Sequence, residues 1–470
     1  MKEHLQQMFS GTFYQILAAI SGTFSAIFDG MQYGWSAPLI PVLQAPDSSI
    51  KINDNDIYWL ETIYLLGGIA GLPITIYFVD RIGRQKSLII AACNSLTASV
   101  LIIIANRVEY LYVARFLTGL AMDVAFVSAP MYVAEIADQK IRGFLASLIF
   151  LMMLSGILLI YVLAPYVQLW VTSTVGAAIL FTQLATFPFM PESPYYLLLK
   201  NERVKAEKAL KFLRNKLDVQ DELKEIESAI DRQKSEKGRP QDLILVDSNR
   251  KALIIMIVLN AAQQFGCMSV ILMNLHLILK SAGSIYLDSN IAAIIFSALM
   301  ILAAAVASVI IDHYGRKVLL ISSSLLTGLS LGTLALYFHF QFLKYEVSSV
   351  SWIPIVSIMV YALVFKSGLG MVPIVLTAEI FPAKVKAMGM TVADATYVIF
   401  GVVSISLFQY MHKWYGMYAP FYLFSSLCFA TAIFSLCYIP ETKGKTLEQI
   451  QMILKGIHQD DKKESMEMER

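Results

Sequence analysis

Apolar residues run in long unbroken stretches along this chain, without the strict alternation of a half-buried strand. A helix of about 20 apolar residues crosses a bilayer. Stretches of that length can be drawn at 13–35, 57–79, 87–106, 109–135, 144–164, 168–190, 252–279, 290–311, 318–340, 352–376, 387–410 and 417–439. Twelve membrane-crossing helices are therefore expected, making an all-α membrane protein. The first stretch carries Asp29 within a long segment and has no small-residue cleavage site after a short apolar core, so it reads as a membrane helix and not as a removable leader. Between the sixth and seventh stretches the pattern changes. Residues 195–251 carry mixed charges, with Ala206, Leu210, Leu213 and Leu217 at helical spacing, and predict short amphipathic helices lying with one face against the membrane domain.

Composition agrees with the pattern. Of 470 residues, 57% are hydrophobic and only 15% charged, where a soluble chain carries about 25%. The net charge of +2 is too small and too dispersed for a nucleic-acid partner. Lys and Arg concentrate in one set of short connections (Arg81, Arg84, Lys86, Lys140, Arg142, Arg316, Lys317, Lys384, Lys386), which places that set and both termini in the cytoplasm. Trp35, Trp59, Trp170, Trp352 and Trp414 fall near the opposite helix ends, as an interfacial belt would. Cys93, Cys267, Cys428 and Cys437 lie in apolar runs without CxxC spacing and read as small core residues, with no metal or cofactor implied.

The two halves of the chain echo each other. Asp80-Arg-Ile-Gly-Arg84 recurs as Asp312-His-Tyr-Gly-Arg316, Ala134-Glu-Ile as Ala378-Glu-Ile, and Pro191-Glu-Ser as Pro440-Glu-Thr, in the same order and at matching places in the helix count. Two six-helix pseudo-repeats follow: an N-terminal bundle over 1–194, the cytoplasmic helical linker 195–251, a C-terminal bundle over 252–440 and a cytoplasmic tail 441–470. A parallel duplication of this kind is the architecture of transporters that rock two bundles about a midplane site. Arg81, Arg84, Arg142, Arg316 and Lys386, with Glu135, Glu192, Glu379 and Glu441, gather at the cytoplasmic ends. They are expected to form a gate by pairing across the two bundles in one state and separating in the other.

Together with Arg115-Phe, Gly119, Pro130-Met-Tyr-Val-Ala-Glu-Ile136, Arg142-Gly, Gln263-Gln264, Pro191-Glu-Ser-Pro194, Ala378-Glu-Ile-Phe-Pro382 and Pro440-Glu-Thr-Lys-Gly444, these motifs resemble the sugar porter family of the major facilitator superfamily over nearly the whole chain. The wording of the Pro-Glu-Ser-Pro-Tyr-Tyr-Leu and Ala-Glu-Ile-Phe-Pro segments is similar to insect facilitated trehalose and hexose transporters. The resemblance implies a major facilitator fold and a sugar site in the bundle interior. It also exposes departures at sugar-contact positions. Phe150 stands where the family carries Gln, Ser269 and Met300 where it carries Asn, Ile374 where it carries Trp, and Tyr397 where Asn is common.

A hexose leaving water must regain its hydrogen bonds, at on the order of 1–3 kcal/mol for each one left unmade. Gln263, Gln264, Asn260 and Ser269 supply a polar patch on the seventh span, and Thr396, Tyr397 and Tyr361 add hydroxyls. Phe150 and Ile374 complete the expected substrate-binding set. Gly368, Gly370 and Pro373 predict a bend or unwinding in the tenth span, with Lys366 either facing the interior or snorkelling to an interface. Asp29, Arg115 and Asp123 are intramembrane charges and hence candidates for proton coupling, although Asp29 stands two positions from the family's coupling aspartate and an Arg115 pair with either carboxylate is the simpler expectation.

The leading reading is a monomeric plasma-membrane uniporter for a sugar or sugar-like solute, with no cofactor and no chemical step. A proton-coupled symporter and a non-transporting nutrient receptor are the alternatives.

Overall fold

The computed structural model describes residues 2–455 apart from 47, 236–238, 240, 383, 444 and 446, and side chains except those of 2–11, 139, 140, 232–235, 308, 309, 312, 378, 387, 447, 448 and 455. Residues 456–470 of the expected tail, and the side chains of Lys140 and Asp312, lie outside the described residues.

Membrane-length helices dominate. The first half contains α1 (Lys2–Thr23), α2 (Ser25–Tyr33), α3 (Ser36–Gln44), α4 (Asp54–Arg81), α5 (Arg84–Ile103), α6 (Val108–Ile136), α7 (Gln139–Leu163) and α8 (Leu169–Thr186). Four short helices follow: α9 (Pro194–Leu199), α10 (Arg203–Arg214), α11 (Gln220–Ser235) and α12 (Asp242–Leu245). The second half contains α13 (Asp247–Phe265), α14 (Met268–Ala282), α15 (Ser289–Tyr314), α16 (Arg316–Phe342), α17 (Ile353–Ser367), α18 (Val372–Ile380), α19 (Lys386–Tyr415), α20 (Tyr418–Tyr438) and α21 (Leu447–Lys455). Among the described residues, eleven helical stretches are long and apolar enough to cross a membrane. The chain is a multi-pass membrane protein.

The expected first span, 13–35, is not one helix. It divides at Phe24, where the Thr23 hydroxyl donates back to Ala19 O at 2.8 Å and competes with the helix ladder. The chain separates into two compact units. Unit 1 comprises residues 1–232, 272–277 and 289–297, and unit 2 comprises 233–271, 278–288 and 298–470.

Within unit 1, helices approach until their backbones touch, as small residues permit in membranes. A Cβ on Gly119 would lie 1.9 Å from Tyr64 O, and one on Gly67 2.3 Å from Phe116 O, which locks α4 to α6. Gly30 against Met153 O and Gly156 against Ile27 O, 1.9 Å each, do the same for α2 and α7. The amphipathic α10 buries Ala206, Leu210 and Leu213 as its spacing predicts. Leu217 is 93% exposed, because the helix stops at Arg214 and Asn215 turns into the left-handed region. α10 is tied to the rest of unit 1 through Arg214, which donates to Ile136 O and grips Glu222, and through Gln15, which donates to Leu213 O.

Within unit 2, two spans are broken. Cys267, with φ +68, separates α13 from α14 in a span that the apolar pattern draws as continuous. The tenth predicted span breaks between Ser367 and Val372, where Gly368, Gly370 and Pro373 predict it. The breaks are stitched to each other: Tyr361 Oη donates to Gly266 O at 2.7 Å, and Gln263 Nε2 donates to Leu369 O at 3.1 Å. Ser323 Oγ accepts Leu369 N at 2.8 Å. Unwound backbone is tolerated at membrane depth because protein groups satisfy it in this way.

Two further expectations change. Trp35 is not an exposed belt residue; it is 1% exposed, with the Arg115 guanidinium over its ring. Cys267 and Cys428 are buried, whereas Cys93 and Cys437 are exposed.

Candidate functional site

Each unit carries one copy of a charge cluster built on a glycine turn. In unit 1, Gly83 (φ +103) lets the chain pass directly from α4 into α5. This leaves the first N–H groups of α5 without carbonyl partners, as at any helix start. Glu192 Oε1 accepts Arg84 N and Gln85 N, both at 3.1 Å. Arg84 then reaches across to α6, where Nε and Nη2 hold Glu135 Oε1 at 3.1 and 2.8 Å while Nη1 donates to Val79 O. Ser193 Oγ donates to the other oxygen of Glu135. Burial raises the carboxyl of Glu192 above the ordinary glutamate range, against the backbone donors of Ser193, Gln85 and Arg84.

Unit 2 repeats this geometry. Gly315 (φ +89) opens α16, and Glu441 accepts Arg316 N at 2.9 Å and Lys317 N at 3.1 Å. Arg316 Nη2 meets Glu379 Oε1 at 2.9 Å, Nη1 donates to Ile311 O, and Thr442 Oγ1 donates to Glu379 Oε2 at 2.6 Å. Burial pushes Glu441 up, but the N–H donors of Lys443, Arg316, Lys317 and Thr442 outweigh it and leave the carboxyl below its ordinary range. Lys386 stands within electrostatic reach of Glu379, and burial lowers its ammonium.

These two ion pairs are internal to their units, where sequence reasoning expects pairing across the halves. The turn glycine folds each arginine back over the carboxylate of its own repeat. Arg81 and Arg142 are exposed and stand apart from the clusters: Arg81 lies over the Tyr77 ring, and Arg142 donates to Ala137 O at 3.3 Å.

The polar residues of the seventh span are buried and engaged with the protein. Asn260 Nδ2 donates to Ala393 O at 2.7 Å and to Thr396 Oγ1 at 3.4 Å. Gln264 Oε1 accepts Ser269 Oγ at 2.6 Å, and Gln263 anchors the break at Leu369. One N–H of the Gln263 side-chain amide is thus committed to backbone. Met300 is fully buried, Tyr397 is half-buried, and Ile374 is 39% exposed. Lys366 is buried at the end of α17 with no hydrogen-bond or ion-pair partner among the described residues. A Cβ on Gly370 would lie 3.2 Å from its Cδ, so its stem runs along the break.

Arg115 pairs with neither aspartate. Fully buried, it donates to Gln32 O at 2.6 Å, Leu60 O at 3.1 Å and Ser36 Oγ at 3.4 Å, and lies over the rings of Tyr64 at 4.2 Å and Trp35 at 5.1 Å. Asp123 instead accepts Thr75 Oγ1 at 2.5 Å. The carboxylate within electrostatic reach of Arg115 is Glu61, fully buried on α4, and it accepts Asn274 Nδ2 at 3.4 Å. Sequence reasoning passes over Glu61, although a lone acid inside the stretch 57–79 is the same signal that singles out Arg115. On the helix that carries Asn274, Leu272 O accepts Tyr161 Oη at 2.7 Å, and the Tyr161 ring packs edge-on against His276. Asp29, 8% exposed, lines a pocket in unit 1 together with Ser25, Met122, Phe126, Phe150 and Met153.

Residues 14–454 match the family model described as "Sugar (and other) transporter". The chain is 31% identical over 451 residues to the facilitated trehalose transporter Tret1 of Drosophila pseudoobscura pseudoobscura, covering 94% of this chain and 51% of that protein. Trehalose transporter 1 of Drosophila melanogaster is 32% identical, with 94% and 52% covered. The Tret1-2 homolog of Drosophila sechellia is 30% identical, with 95% and 92% covered. The chain thus spans about half the length of the first two of these curated relatives. Among solved structures, the xylose transporter XylE from E. coli, in a partially occluded inward open conformation, matches with a TM-score of 0.76 at 20% identity over 92% of this chain and 99% of that one. The proton:xylose symporter XylE bound to 6-bromo-6-deoxy-D-glucose matches with a TM-score of 0.74 at 21% identity, covering 94% and 100%. A family match over nearly the whole length and a shared architecture lead to one conclusion: the chain belongs to the sugar (and other) transporter family and has the fold of the major facilitator superfamily.

Proposed function

We propose that this protein carries a sugar or sugar-like solute of the hexose or trehalose class across the plasma membrane, down its gradient, by alternating access. Both termini and the α9–α12 segment face the cytoplasm, and the chain works as a monomer. The observation that carries the reading is the duplicated Gly-Arg-Glu cluster, one copy at the same place in each repeat. Each copy binds the helix ends of its own unit into a body that can move as a whole, and alternating access needs two such bodies. The stitched breaks of α13–α14 and α17–α18 add a place where backbone groups and Gln263 can exchange a protein partner for a solute hydroxyl. Relatives named as facilitated trehalose transporters support the solute class and the downhill mode.

Uptake of labelled D-glucose and trehalose into proteoliposomes, at several imposed pH gradients, tests this. Saturable uptake that ignores the gradient and is lost in Gln263→Ala is expected. Accumulation driven by the gradient would establish symport, and binding without any flux would establish a receptor.

A further inference from the structure

The pocket beside Asp29 carries a consequence for solute recognition that rests on the transport reading above. Ser25 and Asp29 are four residues apart on α2 and share one face of that helix. Gly30 and Gly156 bring α2 and α7 into backbone contact, which presses this face toward Phe150 and Met153. α6 closes the third side with Met122 and Phe126, and Phe126 and Phe150 meet edge to face at 6.1 Å. The pocket therefore has carbon walls, two aromatic rings and only two side chains able to hydrogen-bond. Asp29 is 8% exposed, and its carboxylate has no hydrogen-bond or salt-bridge partner among the described residues. Arg115, the nearest candidate counter-ion by sequence, spends its donors on Gln32, Leu60 and Ser36.

An unpaired carboxylate at this burial is costly unless something supplies donors. A cavity volume of about 20 Å³ admits one hydroxyl-sized group, so a hydroxyl enters and the ring that carries it stays outside, against the half-buried Phe150. We propose that Asp29, with Ser25 beside it, is a subsite for a single solute hydroxyl: the hydroxyl donates to the Asp29 carboxylate, and the apolar face of the sugar ring lies against Phe150. A carboxylate acceptor then does the work that an amide at position 150 would otherwise do, and the loss of glutamine there is compensated from the neighbouring helix. The recognised chemistry is a neutral hydroxyl on a carbon ring. One polar group is held, and the rest of the contact is apolar.

The test uses the full chain in proteoliposomes with D-glucose and its monodeoxy analogues, comparing wild type with Asp29→Ala and Asp29→Asn. Wild type is expected to discriminate against one analogue by roughly 10- to 100-fold, the size of one hydrogen bond to a charged group. Asp29→Ala is expected to lose that preference while its rates for the other analogues fall together. Removal of the unpaired buried carboxyl is also expected to raise the melting temperature of Asp29→Ala without solute, a shift that a merely supportive Asp29 would not give. The wild-type analogue series needs no variant and stands even where a variant folds poorly. Wild-type uptake with no analogue disfavoured, or a preference left intact in Asp29→Ala, overturns the subsite and leaves the transport reading standing. Strong preference for an amino-sugar over the parent overturns it in favour of a cation subsite, and no wild-type uptake of any sugar overturns both.

Discussion

The charge clusters of the two units are the same construction in different surroundings. Partner for partner they agree: a turn glycine, an arginine on a helix-end glutamate, a second glutamate on two free N–H groups, and a hydroxyl on the first glutamate. In unit 1 the paired side chains of Arg84 and Glu135 are 4% and 13% exposed; in unit 2 those of Arg316 and Glu379 are 10% and 27% exposed. The difference extends to Glu192 and Glu441, whose carboxyls shift in opposite directions. Motif chemistry is thus inherited by duplication, whereas its energetic weight is set by how much of each unit covers it. The cost of losing a partner grows as water becomes unable to replace it.

The most severe test removes an arginine. Arg84→Ala leaves Glu135 buried and is expected to destabilise the detergent-solubilised protein by roughly 3–5 kcal/mol, and Arg316→Ala by about 1.5–3 kcal/mol. Thermal unfolding followed on each variant would break the comparison if the two losses were equal.

Next come the glycine turns. A Cβ at Gly83 would stand 2.4 Å from Glu192 Oε2 and 2.8 Å from Tyr196 Cε1, while the three atoms nearest to one at Gly315 all belong to the Glu441 carboxylate, the first at 2.6 Å. Gly83→Ala and Gly315→Ala are each expected to cost about 1–3 kcal/mol from positive φ alone, with Gly83→Ala the larger because an aromatic ring must also move. The same melting assay orders them.

A smaller effect follows from the hydroxyls. Ser193→Ala and Thr442→Ala each remove one donor from a paired carboxylate and should cost about 1 kcal/mol, more in the unit 1 cluster. Equal values would show that the hydroxyl acts locally and does not sense the surrounding burial.

The subtlest prediction is one of sign. The raised carboxyl of Glu192 holds a proton more readily folded than unfolded, so its contribution is present below the ordinary value of 4.5 and is lost as pH rises through the higher folded value. The lowered carboxyl of Glu441 contributes above 4.5 and is lost as pH falls through its lower folded value. Melting curves from about pH 7 to about pH 3 should therefore show wild type gaining on Glu192→Gln and losing to Glu441→Gln as the solution is acidified. Parallel curves would erase the distinction between the clusters.

Much of this was open to a reader of the sequence. Arg84, Glu135, Glu192 and their counterparts Arg316, Glu379 and Glu441 stand in repeated words, and the break after Ser367 is announced by Gly368, Gly370 and Pro373. The break at Cys267 was not legible, since a left-handed cysteine has no sequence signature and follows from the Tyr361 and Gln263 bonds that stitch two distant spans. Nor was the environment of Arg115. Its ligands are mostly backbone carbonyls and aromatic faces, and a carbonyl is present at every residue, so no residue type marks the ones it uses.

The chain's apolar pattern and motifs already carry the solvent of this protein, the number of its membrane-length stretches to within one, and the duplicated words from which each cluster is built. These depend on local quantities: apolar length against bilayer thickness, and the turn that a glycine permits. Which arginine meets which carboxylate emerges in three dimensions alone, as do the placing of Trp35 and Glu61 in the interior around Arg115, the tying of the Asn260 and Gln263 amides to backbone and of Gln264 to Ser269, and the pocket that Asp29 faces. Partner choice is a matter of three-dimensional proximity and desolvation, which distant helices impose on one another and which no single stretch of chain contains.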